Sequence, residues 1–251
     1  MFGFLRRIRR SLIEEGHLRK YLVYAVGEIL LVMIGILLAL QVNNWNTQKQ
    51  EAKELGGFLY NISQNVRSDL IEIRELKTYR DSTRMFSARI MGLVGKERIS
   101  KEEFYTIWDW KYNPQKTVSF SPNQSGFDAL KSSGYLGKLQ RTELEYKLYR
   151  YYDLVAKLTT QQENLNGHLK HLSMRALENN IPQVLDVLRS DTDIYSPDFS
   201  KESKVILELL THPIMIGMHR RNRDNQGVAN LHEEILSVGE DLIQLCEKKI
   251  G

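Results

Sequence analysis

A chain of 251 residues, 42% hydrophobic and 26% charged, has the composition of a folded protein. That excludes wholesale disorder and leaves room for one sizeable domain or two small ones. The single cysteine, Cys246, excludes a disulfide within the chain and makes a cysteine-based metal site nearly impossible. The net charge of +4 invites a nucleic-acid reading, but residues 1–20 carry all of it, with Arg6, Arg7, Arg9, Arg10, Arg19 and Lys20 set against Glu14 and Glu15. Basic charge confined to the flank of an apolar run is a lipid-headgroup and topology signal, so no nucleic-acid partner is expected.

The pattern divides the chain into a basic cytoplasmic segment (1–20), a transmembrane helix (21–40) and a periplasmic helical domain (41–251). Tyr21 to Leu40 is apolar apart from one glutamate. As a helix it is about 30 Å long, the thickness of a bilayer core. The following "LLALQVNNWN" lacks the small-residue spacing of a signal-peptide cleavage site, so the span is expected to stay in the chain. Tyr21 and Tyr24 at one end and Trp45 at the other stand where interfacial aromatics belong. The basic side of the span faces the cytoplasm by the positive-inside rule, which sends the remainder of the chain outward through a bacterial inner membrane.

Glu28 lies inside this run. Ala25, Glu28, Val32, Gly35 and Ala39 recur at steps of three and four and therefore share one helix face. Gly35 and Ala39 form a small-xxx-small pair that allows close backbone approach. A carboxylate at membrane depth is costly against lipid and is expected to face protein. Four roles compete for it: joining copies of this chain, pairing with another inner-membrane protein, sitting neutral near the headgroups, or moving ions or protons.

Beyond the span the apolar stripe continues through Leu55, Leu59, Ile62, Val66, Leu70, Ile73 and Leu76, predicting a coiled-coil-like helix to Met91 that can be continuous with the membrane helix. "GLVGKERIS" ends it. Ser100 and Glu103 form a capping box that opens a short helix through "EEFYTIWDW". "NPQKTVSFSPNQSG" reads as a loop. In "FDALKSSGYLGKL", Gly134 is placed for a left-handed helix stop and Gly137 for a second bend, which makes a helix joint or a binding loop whose glycines let a ligand approach the backbone, without the Lys-Ser/Thr pattern of a phosphate loop.

Thr142 caps a long helix to about Asn179, with Leu144, Leu148, Tyr151 or Tyr152, Val155, Leu158, Leu165, Leu169, Leu172 and Leu177 as its apolar face. Within it Tyr146, Tyr149, Tyr151 and Tyr152 cluster. Such a group serves as bundle core or, through Tyr149, Tyr151 and Tyr152, as a ligand or partner contact. His168 and His171 stand three apart, but two ligands do not close a metal site. The Glu-x-x-His pattern of di-iron bundles is absent, because Leu165 and His168 stand three before them.

Pro182 can open a helix "PQVLDVLRS", "DTDIYSPDFSKES" is a polar turn region, and "KESKVILELL" a short helix. A last helix is predicted from Pro213 to Lys249, with Val228, Leu231, Ile235, Val238, Leu242 and Leu245 packed and Lys248 and Lys249 complementing its dipole. "HRRNRD", from His219 to Asp224, reads as a solvated basic face or a contact for an acidic partner.

The segment "KYLVYAVGEILLVMIGILLALQVNNWN", Lys20 to Asn46, resembles the opening signature of an uncharacterised Bacteroidota family, the domain-of-unknown-function 6090 type. Its pattern is G-E-I-x-L-V-x-I-G-I-L-x-A-L-Q-x-N-N-W-N. "FDALKSSGYLGKL" and the Tyr-rich helix after it are similar to the middle of those proteins. The resemblance implies a membrane anchor followed by a helical domain, and implies no activity, cofactor or catalytic residue.

The fold expected is all-α: one N-terminal transmembrane helix, then an extracytoplasmic bundle of long helices. No nucleophile–base signature, closed metal set or phosphate loop is legible, so no catalytic residue, metal or cofactor is expected. The function expected is a non-enzymatic envelope protein, an oligomeric interaction module or a subunit of an inner-membrane complex. The alternative is a small-ligand sensor bundle that signals through a separate partner.

Overall fold

The computed structural model describes residues 18–108, 115–181 and 199–251, and over these it is all-helical with no strand. In chain order α1 spans Leu18–Met91, α2 Lys101–Trp108 and α3 Ser125–Ser132, followed by a 3-10 turn at Tyr135–Leu139. Then come α4 Glu143–Glu178, α5 Phe199–Leu210, α6 Pro213–Arg223 and α7 Gln226–Ile250. The predicted helix "PQVLDVLRS" and most of "DTDIYSPDFSKES" lie outside the described residues. Two compact units divide the chain, Met1–Gly57 and Phe58–Gly251, with the division falling inside α1.

α1 is one helix of 74 residues because no proline or strong breaker interrupts it between Leu18 and Met91. Gly56 and Gly57 weaken it by about 1 kcal/mol each without ending it. In the first unit, an 18-residue window reaches mean hydropathy 2.5 with none of it buried. Among the described residues α1 is the one helix long and apolar enough to cross a membrane. Just after that stretch, local pairs line the helix. Lys49 Nζ lies 5.7 Å from the Trp45 ring centre, and Gln50 Nε2 donates to Glu54 Oε1 at 3.1 Å.

The second unit is built on three helices. The predicted stripe of α1 is buried at Leu59, Ile62, Val66, Leu70 and Ile73. α4 runs parallel to it, since Tyr151 meets Asp69 and Asn166 meets Arg80. α7 runs antiparallel to both. Arg67 pairs with Glu247, Arg74 with Glu240 at 2.7 Å and Lys77 with Glu233 at 3.5 Å, while Lys147 pairs with Asp241 at 2.5 Å and Arg150 with Glu234. These half-exposed pairs contribute little energy each but record the register. Close approach at the centre requires Gly239, whose absent Cβ would stand 2.7 Å from Leu70 Cδ2 and 3.1 Å from Tyr151 Cε2.

Two satellite cores complete the unit. Phe86, Ile90 and Leu93 of α1 and its following turn pack with Phe104 and Ile107 of α2 and Ile206, Leu207 and Leu210 of α5. Leu165, Leu169 and Ala176 of α4 pack with Ile214, Met215 and Met218 of α6.

Several local expectations hold in atomic detail. Gly95, at φ 88°, closes α1, and the Ser100–Glu103 box forms with bonds of 2.8 and 3.1 Å. Thr142 Oγ1 accepts from Glu145 N at 3.2 Å. Gly134 takes φ 77° after α3. Three expectations need correction. The second bend is made not by Gly137 but by Arg141, at φ 62°. Its N–H is held by the Glu145 carboxylate at 2.8 Å. Leu177 is exposed, because three-four steps from Leu169 through Leu172 land on Ala176, which is fully buried.

The single helix predicted from Pro213 to Lys249 is two, broken at Asp224 and Asn225. The Asp224 carboxylate turns to Arg223 at 2.6 Å, and Asn225 leaves helical geometry at φ −89° and ψ 47°. Short polar side chains favour such breaks because they bond locally outside a helix.

Candidate functional site

The stripe Ala25, Glu28, Val32, Gly35 and Ala39 lies on the uninterrupted helical backbone of α1, as the spacing requires. Val32, Gly35 and Ala39 are exposed, and Ala25 and Glu28 are half-buried. A side chain added at Gly35 would meet nothing within 4 Å, so the stripe is an open surface within its own unit.

The tyrosine cluster does not form one surface. Tyr146 and Tyr149 are exposed, whereas Tyr151 is fully buried and Tyr152 nearly so. Tyr152 stacks on Phe127 at 4.3 Å, with Tyr149 edge-on to the same ring at 5.9 Å. The three proposed contact residues thus divide, leaving Tyr149 outside and Tyr151 and Tyr152 in the core. His168 and His171 are both exposed, and among the described residues no group of three or more metal-ligating side chains assembles.

What the core does assemble is a seam of buried polar groups. Asp69 of α1 accepts from Tyr151 Oη at 3.2 Å and from the Asn123 backbone N–H at 3.1 Å, tying α1, α4 and the loop before α3 together. Burial outweighs these two bonds and pushes the Asp69 carboxyl up to about 6. The same burial, with the Asp69 charge beside it, raises the Tyr151 hydroxyl and keeps it a donor.

Further along the bundle, Gln162 Oε1 accepts from Phe120 N at 3.0 Å, and Asn166 Nδ2 donates to the Val118 carbonyl at 2.7 Å. Arg80, only 7% exposed, donates from Nη2 to Asn166 Oδ1 at 3.2 Å. His219 Nδ1 stands 3.3 Å from Ser87 Oγ, both groups fully buried. His232 of α7 is fully buried too. Burial depresses both imidazoles to about 4, and the Arg80 charge reinforces it at His232, so both rings are neutral at neutral pH. Burial also pushes the Cys246 thiol up to about 12, leaving it un-ionised and inert.

The apolar-stripe reading passed over these groups, yet they carry a signal. Three-four steps from Ile73 reach Arg80, Thr83, Ser87 and Ile90, so polar residues occupy core register on α1. Gln162 falls likewise between Leu158 and Leu165, and His232 between Val228 and Ile235. The "HRRNRD" run also divides: His219 and Asn222 face inward, while Arg220 and Arg221 are exposed.

A separate cleft of about 400 Å³ lies between the end of α1 and α2. Phe86, Ile90 and Ile107 line it, with Arg89, Glu102 and Glu103 also in its wall.

No curated protein and no solved structure matches the chain. A family model does match, over residues 28–174, and so takes in the stripe from Glu28 onward together with Asp69, Arg80, Tyr151, Gln162 and Asn166. That span is 147 of the 251 residues, and the chain therefore belongs to the Family of unknown function (DUF6090).

Proposed function

We propose that this protein is a non-enzymatic component of the bacterial envelope, anchored in the inner membrane by residues 21–40 and carrying its helical domain in the periplasm. In this reading it acts as an oligomeric interaction module or as a subunit of an inner-membrane complex. One observation carries the reading: Leu22, Val23, Val26, Ile29, Leu31, Ile34, Ile36 and Leu38 are each more than half exposed on a helix that nothing within its unit covers. An apolar surface of that size does not persist in water. A bilayer covers it on all sides, and the arginine-rich leader orients it with the N-terminus inside.

Within lipid, Glu28 belongs against protein, and its position on the Gly35–Ala39 face supports a helix–helix joint there. The partner is a second copy of this chain or another inner-membrane protein.

Two measurements test the reading. A reporter enzyme that works only in the cytosol, fused after Gly251, is expected to be inactive in living cells, and activity overturns the orientation. Native mass spectrometry of the protein extracted from membranes is expected to find a homo-oligomer or a stoichiometric protein partner, lost or weakened in Glu28→Ala. A monomer holding a small molecule would favour the sensor alternative instead.

A further inference from the structure

Three helices of the second unit each carry a buried polar side chain with unpartnered N–H groups among the described residues, and Arg80 and His232 lie near enough for the guanidinium charge to act on the ring. On α1, Arg80 uses Nη2 on Asn166, while Nε and Nη1 have no hydrogen-bond partner among the described residues. On α4, Gln162 stands one turn before Asn166, is 1% exposed, and leaves its Nε2 unpartnered. On α7, neither ring nitrogen of the fully buried His232 has a hydrogen-bond partner among the described residues. The register is independent of these atoms: Lys77 meets Glu233 at 3.5 Å and Arg84 meets Gln226, bracketing Arg80 against the turns of α7 that hold His232.

The chemistry of the unpaired atoms is one-sided. Arg80 offers only donors, the Gln162 amide nitrogen offers two more, and a neutral imidazole offers one donor and one acceptor. The Asp81 carboxylate next in sequence to Arg80 is engaged by Lys77 at 2.7 Å and lies 3.7 Å from Arg84. Among the described residues no carboxylate pairs with Arg80. Buried charges in folded proteins are paired, because an isolated one loses hydration without compensation.

We propose that these side chains bind a small monovalent anion, with the Arg80 guanidinium supplying the charge and Gln162 and His232 further N–H groups. A halide and a small carboxylate share the needed chemistry: one negative charge and several acceptor directions in a compact body. Bound there, the anion joins α1, α4 and α7 and makes the stability of the bundle depend on its concentration.

The test uses the full-length protein in a neutral detergent, dialysed into sodium gluconate, whose anion is too large for a closed site. Sodium chloride or sodium formate is then titrated at constant ionic strength, and thermal unfolding is followed by circular dichroism. For wild type, Tm is expected to rise by about 3–6 °C for each tenfold increase in chloride or formate above the dissociation constant. A response to one salt alone identifies the anion class. Arg80→Met, which replaces the cation by an apolar side chain of similar length, is expected to fold and to lose the dependence. Gln162→Leu is expected to weaken it. A flat wild-type titration in both salts, or parallel responses of wild type and Arg80→Met, overturns the proposal.

Discussion

Replacing His232 by leucine isolates the acid sensitivity built into the core. The ring is fully buried and titrates near 4 in the fold against 6.5 when solvated, a gap of about 2.5 pH units. A depressed cationic pKa means the unfolded chain takes up a proton that the folded chain refuses. The contribution is therefore fully present above 6.5 and lost as pH falls toward 4. At about 1.4 kcal/mol per unit, that gap amounts to roughly 3 kcal/mol.

At about pH 5 the unfolded state holds two histidine protons, from His219 and His232, that the folded state lacks. Asp69 acts the other way, because its folded carboxyl keeps a proton that the unfolded one has released. The net difference of about one proton predicts that these three groups make stability rise by roughly 1.4 kcal/mol per pH unit. His232→Leu removes one histidine proton and flattens that contribution. Urea denaturation of both proteins at several pH values, read as the difference between wild type and variant, cancels every group they share. The difference is expected to shift in favour of the variant by about 1–3 kcal/mol as pH falls from about 6.5 to about 4.5. A difference independent of pH refutes the reasoning, since it means that the ring reaches solvent in the folded state.

Other expectations follow from the same geometry. Asp69→Asn removes a group whose folded pKa is raised, so it gains on wild type as pH climbs from about 4 through about 6. The gain is about 1–2 kcal/mol once screening is allowed for, measured as the shift in urea midpoint between acidic and neutral buffer. Gly126→Ala places a methyl 3.0 Å from the Ile62 backbone nitrogen and 3.1 Å from Ile62 Cγ1. It is expected to cost about 1–3 kcal/mol, lowering the midpoint without changing the slope. Thr142→Ala deletes the cap on Glu145 N and is expected to cost about 1 kcal/mol, readable as a lower Tm.

Much of this protein is legible one segment at a time because the causes are local. The apolar run of residues 21–40, the capping box at Ser100, the cap at Thr142 and the left-handed turn at Gly134 each depend on neighbours within a few positions, and each appears as read. The apolar stripe of α1 was equally plain, since Leu59, Ile62, Val66, Leu70 and Ile73 keep the helical period. Local chemistry also decided the break at Asp224 and Asn225, yet the unbroken apolar period on either side concealed it.

Contacts far apart in the chain were not legible in that way. The period of α4 already set Tyr151 or Tyr152 on its buried face, but that both enter the core, and what they meet there, depended on where the other helices lie against α4. The same holds for the meeting of Asp69 with Tyr151 and of Arg80 with Asn166. A polar side chain at a core position is only an irregularity in a periodic pattern until its neighbours are known. Its energy is set by burial and by the donors and acceptors that distant segments bring to it, and those quantities exist only once the helices have packed.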